Sequence, residues 1–274
     1  MKTISYESKF FNPTDTLECG QVFRFESYLK GYKVYSRDKA CYVYTEGDRT
    51  FIESEDVDYF YHYFDLDRDY GAIIEKMQAF KVPVLSKACN LAKGLRLLNQ
   101  DPEEMIFSFI ISQNNNIPRI KKIISAICRE LGEEREFMGE KYYSFPTARQ
   151  MAEKDASFYK SLGAGYRDKF LAQTACRIEK EGIEQLKSLP TDSLRKQLLT
   201  YKGIGGKVAD CVSLFGFKKT DSFPVDTWIE KLYKEDFKGT LTDRDKITDY
   251  FKNAFGEYSG YVQQYLFYFK RQQL

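Results

Sequence analysis

The chain has 274 residues, 43% hydrophobic and 16% aromatic, with 42 Lys/Arg against 40 Asp/Glu and a formal charge of +2. Such a chain can bury a sizeable core without covalent staples, which excludes a disordered or disulfide-stapled miniprotein. Its longest apolar runs are too short for a membrane-crossing helix, so no membrane partner is expected.

From Ile4 to about Phe60, short runs rich in Tyr, Phe and Val (QVFRFESY, YKVYSRD) are broken by Gly31, Gly47 and charged turns, which predicts an antiparallel sheet. After Asp65 the apolar spacing changes to three and four, as in IIEKMQ, IKKIISAICREL and DKFLAQTACRIEKEG, and predicts helices. Asp101-Pro102, Pro146-Thr147 and Pro190-Thr191-Asp192 each pair a capping residue with a proline, marking helix starts. The expected fold class is α+β: an N-terminal antiparallel β-sheet domain with covering helices over 1–92, then a larger all-helical domain over 93–274. Residues 1–70 carry nine Lys/Arg against fourteen Asp/Glu, so the positive balance lies in the second part, where a polyanion would bind.

Residues 191–217 read as a helix, the short loop Lys202-Gly203-Ile204-Gly205-Gly206 and a second helix starting near Lys207, a helix-hairpin-helix pattern. Glycines let the backbone turn through positive φ and approach a partner, while amides at the second helix's start can cradle a phosphate. A nucleotide P-loop fails at both ends, because Tyr201 and Val208 stand where its first Gly and its Ser/Thr belong. A glycine-rich connector with a solvated lysine remains open on these residues alone. Nineteen residues after Lys207, Asp226 in SFPVDTWIEKLY stands at a helix start, where an Asp is ordinarily a cap.

GIGGKVADC followed by PVD resembles the core of the helix-hairpin-helix DNA glycosylases, and a Lys at that position resembles their lyase-competent members. LECGQVFRF (17–25), FSFIISQNNNIPRI (107–120), LGAGYRDKF (162–170), YKGIGGKVADC (201–211) and GYVQQYLFYF (260–269) together resemble the 8-oxoguanine DNA glycosylase/lyase family. The resemblance implies a base-excision-repair enzyme that removes 8-oxoguanine from duplex DNA, opposite cytosine by preference. Lys207 would attack C1′ and form a Schiff base, β-elimination would cut the strand, and Asp226 would stabilise positive charge and assist proton transfers. Gly20 would offer its carbonyl to the oxidised base's N7–H, Cys211 and Phe267 would sandwich the base, and Gln263 would reach its pairing edge. Asn114 would fill the gap left by the flipped nucleotide, Tyr166 would act as a wedge, and Arg119 and Arg167 would read the opposite cytosine. Gly203, Gly205 and Gly206 would bring the hairpin to the DNA backbone.

A lysine amine titrates near about 10.4, and a helix dipole supplies only about 0.3–1 kcal/mol, so a neutral nucleophile would owe most to desolvation by the flipped base. Two departures stand out: Lys202 where the family commonly has Pro, and Trp228 where a phosphate-contacting His is common in eukaryotic members. The alternatives are a glycosylase for other damaged purines on the same scaffold, or a non-catalytic DNA-binding protein in which Lys207 grips phosphate and Asp226 only caps. The single histidine, His62, reads as a surface residue.

No CxxC pair joins the six cysteines, so no metal site and no required cofactor are expected, although the carbonyls of 202–206 could hold a monovalent cation. The expected partner is double-stranded DNA containing 8-oxoguanine, bound by a monomer. MKTISYESKFF lacks the apolar stretch of a secretory signal, which predicts an intracellular protein, cytoplasmic and nucleoid-associated if prokaryotic.

Overall fold

A computed structural model describes residues 1–272. The strands are β1 (Lys2–Glu7), β2 (Phe25–Tyr28), β3 (Gly31–Ser36), β4 (Lys39–Glu46), β5 (Arg49–Ser54), β6 (Glu134–Phe137) and β7 (Glu140–Tyr143). The helices of the first half are α1 (Pro13–Leu17), α2 (Val57–Tyr63), α3 (Tyr70–Ala79), α4 (Pro83–Leu91), α5 (Pro102–Ser112) and α6 (Ile117–Leu131). Then come α7 (Ala148–Ala152), α8 (Ala156–Ser161), α9 (Asp168–Glu181), α10 (Glu184–Lys187), α11 (Thr191–Leu198) and α12 (Gly206–Phe215), followed by α13 (Thr227–Glu235), α14 (Arg244–Phe255) and α15 (Ser259–Arg271).

The first five strands form one antiparallel sheet in the order β1-β5-β4-β3-β2. Val34 pairs with Cys41 and Val43 with Ile52, and all four face Phe60, Tyr63 and Phe64 of the covering segment, as period-two burial requires. The aromatic run at 57–63 is helical, unlike the sheet expected up to Phe60. Asp56 accepts the Tyr59 N–H at 3.1 Å and starts a helix there.

The two-part α+β architecture expected from the sequence is the one the chain adopts, with one hairpin inside the helical part. At Met138 (φ 52°) and Gly139 (φ 75°) both central residues have positive φ, the turn that joins two strands tightly, so β6 and β7 pair. This hairpin covers the outer face of the sheet. Tyr142 stacks on Tyr35 with ring centroids 5.1 Å apart, and the fully buried Lys33 reaches Glu140 at 2.6 Å.

Cores do not follow chain order. The large helical core takes in Tyr70, Ile74 and Met77 of α3 and Leu85 and Ala88 of α4, together with Cys19 and Phe23 from before β2. A buried charge cluster joins the parts: Asp65 accepts from Tyr70 at 2.9 Å, Lys218 at 3.0 Å, Asn99 at 3.0 Å and Arg68 at 3.2 Å. Burial pushes the Lys218 amine down to about 8, against the pull of Asp65. Lys218 lies just beyond the end of α12, so the helix that begins next to Lys207 is fastened at its far end to the segment after the sheet.

Candidate active site

The predicted hairpin is present, with α11 and α12 joined across 199–205 and Gly205 as the N-cap of α12. Each glycine has its own reason. Gly203 sits at φ +82°, and a Cβ there would lie 2.3 Å from the Phe170 ring. A Cβ on Gly206 would meet Arg195 and Asp245 at 2.8 Å, whereas one on Gly205 would meet open space. Gly203 is therefore fixed by packing and by its φ, Gly206 by the Arg195–Asp245 ion pair that lies against it, and Gly205 is where an outside partner can come close. Beneath them Arg195 bridges Asp210 at 2.8 Å and Asp245 at 2.6 Å, tying both hairpin helices to α14. Burial raises the Asp210 carboxyl to about 6 despite the Arg195 pull.

Lys207, in the first turn of α12, and Asp226, the cap of α13, line one cleft of about 970 Å³ whose other lining residues include Asn114 and Tyr166. The Lys207 Nζ lies 5.4 Å from the centroid of Phe109. Oδ1 of Asp226 accepts the N–H groups of Trp228 at 3.0 Å and Ile229 at 2.9 Å, leaving Oδ2 without a hydrogen bond from the described residues. Burial raises the Asp226 pKa; the two N–H groups and the Lys207 and Arg244 charges oppose it. So the cap reading of Asp226 holds geometrically, and the same carboxylate sits in the electric field of Lys207.

Asn114 is exposed at φ +44°, a left-handed conformation that Asn tolerates better than most residues. Tyr166 is 54% exposed. The two arginines differ sharply: Arg119 is exposed and makes one side-chain bond, to Gly163 O at 3.2 Å. Arg167 is only 2% exposed and spends its guanidinium on the carbonyls of Gln113, Asn114 (2.9 Å) and Ala164 (3.2 Å). Burial and the nearby Arg119 charge hold its pKa below the usual arginine value, against the pull of Tyr166.

Gly20, Cys211, Gln263 and Phe267 lie off the cleft wall. Gly20 has φ +84°, a conformation that L side chains rarely adopt, and a Cβ there would also crowd Arg271 at 3.2 Å and the Phe267 ring at 3.3 Å. Gln264 holds the Gly20 loop by donating to Cys19 O at 3.0 Å. Gln263, one turn before Phe267, is 4% exposed and its Oε1 is buried without a partner among the described residues. Cys211, one turn after Lys207, is equally buried; burial pushes its thiol up to about 11, against the Lys207 charge. An unpartnered buried amide oxygen costs about 1–3 kcal/mol, so Gln263 is poised for a donor that this chain does not provide.

Sequence reasoning gave no role to Arg195, Asp210, Arg244 or Phe170. Asp210 was in plain view inside GIGGKVADC, but its partner Arg195 and that partner's second carboxylate, Asp245, are brought together only by the fold. Among the described residues no cluster of His, Cys, Asp and Glu could hold a metal ion.

Fold and hairpin together define a helix-hairpin-helix DNA glycosylase scaffold. A family profile described as 8-oxoguanine DNA glycosylase, N-terminal domain, matches residues 3–106. The 8-oxoguanine glycosylase/lyase of Clostridium acetobutylicum, solved with double-stranded DNA containing cytosine opposite 8-oxoG, is 36% identical with a TM-score of 0.92, over 99% of this chain and 96% of that one. A probable N-glycosylase/DNA lyase of Methanothermobacter thermautotrophicus is 34% identical over 204 residues, 67% of this chain and 65% of that protein. The N-glycosylase/DNA lyase of Saccharomyces cerevisiae is 34% identical over 160 residues, 53% of this chain and 43% of that protein. The matched stretches thus cover under two thirds of those curated relatives. A 3-methyladenine DNA-glycosylase from Archaeoglobus fulgidus, 20% identical with a TM-score of 0.80, shares the fold. The chain belongs to the 8-oxoguanine DNA glycosylase/lyase family.

Proposed function

We propose that the protein excises 8-oxoguanine from duplex DNA and then cuts the strand, with Lys207 as nucleophile. The observation that carries this reading is the shared cleft, where Lys207 and Asp226 stand with Asn114 and Tyr166. In the proposed reaction the Lys207 amine forms a bond to C1′ while the N9–C1′ bond breaks and the base leaves with the electron pair and a proton. Ring opening gives a Schiff base; loss of a 2′ proton then expels the 3′ phosphate by β-elimination. Asp226 faces the cationic intermediates with its unbonded Oδ2 and can relay protons, helped by a pKa that burial has raised.

For the base, the reading assigns the unpaired Oε1 of Gln263 to the pairing edge, Cys211 and Phe267 to the two faces, and the Gly20 carbonyl to N7–H. Guanine presents a lone pair at N7 and would leave that carbonyl unmatched. Asn114 and Tyr166 fill and wedge the duplex, Gly205 admits the backbone phosphate while Gly203 and Gly206 shape the loop, and Arg119 reads the opposite cytosine. Arg167 supports that reading from behind, through the carbonyls it holds. The reading requires no cofactor. A monovalent cation on the 202–206 carbonyls remains part of the proposal, checked by comparing DNA affinity in potassium and in tetramethylammonium salts.

Borohydride trapping on duplexes with 8-oxoguanine opposite each of the four bases tests the proposal. A covalent adduct in the wild type, absent in Lys207→Gln, is the expected result. Binding without adduct or base release would overturn it, and release of other damaged purines but not 8-oxoguanine would reassign the substrate.

A further inference from the structure

A second pocket, of about 480 Å³, lies between the edge strand β2, helix α6 and the β6–β7 hairpin, and shares no lining residue with the Lys207 cleft. That size is within the range of small-molecule sites, about 300–1,000 Å³. Its aromatic walls include Phe25, Tyr35 and Tyr142, the last two stacked on one another. Its charges are unevenly matched. Arg24 is spent on Glu104 and on the carbonyls of Arg37 and Tyr143, Lys141 is paired with Glu134, and the Glu26 carboxylate is held by the Tyr35 hydroxyl.

That leaves Lys121, Lys122 and Arg129 along one helix, none with a carboxylate within 4.0 Å among the described residues. Lys121 is the most telling. Its ammonium sits 3.3 Å from the centroid of Phe25 and donates to the Phe25 carbonyl at 3.2 Å, so two of its three donors are unspent. Burial pulls its pKa down, with Glu18 and Glu26 countering. A half-buried cation with unspent donors beside aromatic walls calls for an anion, and the walls call for a flat ring on the same molecule.

We propose that this pocket binds a nucleotide, its base along the aromatic wall and its phosphate on Lys121, Lys122 and Arg129. A bare inorganic anion would leave the aromatic surface unused, and an apolar ligand would leave three cations unanswered. The nucleotide can come from two sources with the same chemistry: a free mononucleotide, or an unpaired nucleotide at the end of a DNA strand.

Calorimetric titration with deoxyadenosine monophosphate tests the site directly. Saturable binding is expected, weakened roughly tenfold or more by Lys121→Ala/Arg129→Ala, retained by Lys121→Arg and unchanged by Lys207→Gln. Inorganic phosphate and deoxyadenosine, titrated separately, should each bind more weakly than the nucleotide. Comparing a blunt duplex with one carrying a single-stranded overhang separates the sources. An overhang gain that vanishes in the double variant assigns the site to strand ends, and mononucleotide binding without that gain assigns it to free nucleotide. The inference falls if neither ligand responds to the pocket variants, or if phosphate alone binds as well as the nucleotide. Melting temperatures of the variants check that the fold is kept, above all for Lys121→Ala/Arg129→Ala, which removes the Lys121 contact with Phe25.

Discussion

The two walls of the Lys207 cleft are built by opposite means. On the hairpin side the backbone itself is wedged: Gly203 against Phe170, Gly206 against Arg195 and Asp245. On the Asn114 side the loop is held by a side chain, the Arg167 guanidinium clasping the successive carbonyls of Gln113 and Asn114. A packed backbone resists displacement more than a loop held only by hydrogen bonds. The proposed chemistry sits on the first wall and the proposed reading of the duplex on the second.

The largest effect should come from the first wall. Lys207→Gln is expected to abolish borohydride-trapped adduct altogether while duplex affinity, read by gel shift, stays within a few-fold. Next, Gly203→Ala places a methyl group into the Phe170 ring at a positive φ, which should cost about 2–5 kcal/mol in chemical denaturation. Gly203→Ala/Phe170→Ala should recover part of that loss; a simple sum of the two single costs would show that the ring is not the obstacle.

The far end of the same helix gives a pH signature. Lys218 has a folded pKa of about 8, below the ordinary 10.5, so the stability it contributes is present above the ordinary value and is lost as pH falls through 8. Wild type minus Lys218→Met unfolding free energy should therefore rise between pH 8 and 10.5, by on the order of 3 kcal/mol. A flat difference would mean that the amine is not held in a dry site.

The second wall should show smaller and divided effects. Arg119→Ala should cost roughly 1–3 kcal/mol of discrimination between opposite bases, visible as relaxed cytosine preference in excision assays. Arg167→Ala should slow excision opposite all four bases alike, because its donors hold the Asn114 loop. Equal loss of cytosine preference in both variants would return Arg167 to direct base reading.

Local signals were legible in the sequence. The strands of the sheet, the hairpin and the caps at Asp101, Thr147 and Asp226 all follow from periodicity, glycine placement or a short polar side chain before a helix. Distance along the chain hid the rest. Phe170 stands 33 residues before the glycine it constrains, and Asp65 lies 153 residues before Lys218, so no window shows either pair. The burial of Arg167 was hidden for a different reason: an arginine's role depends on which oxygens reach it first, and here these are backbone carbonyls. The β6–β7 hairpin was lost because EREF and EKYY are short and highly charged, and Tyr142 finds its partner Tyr35 on a sheet more than a hundred residues earlier.

The two oxygens of Asp226 are placed differently. Oδ1 closes the start of α13, and Oδ2 is left for the cleft. Asparagine caps helices about as well as aspartate and carries no charge to desolvate. The fold therefore exerts no pressure of its own to keep a carboxylate at this position. Under the proposed mechanism, one base change in the gene would leave a folded but chemically silent descendant, and selection on the reaction alone would keep the acid in place.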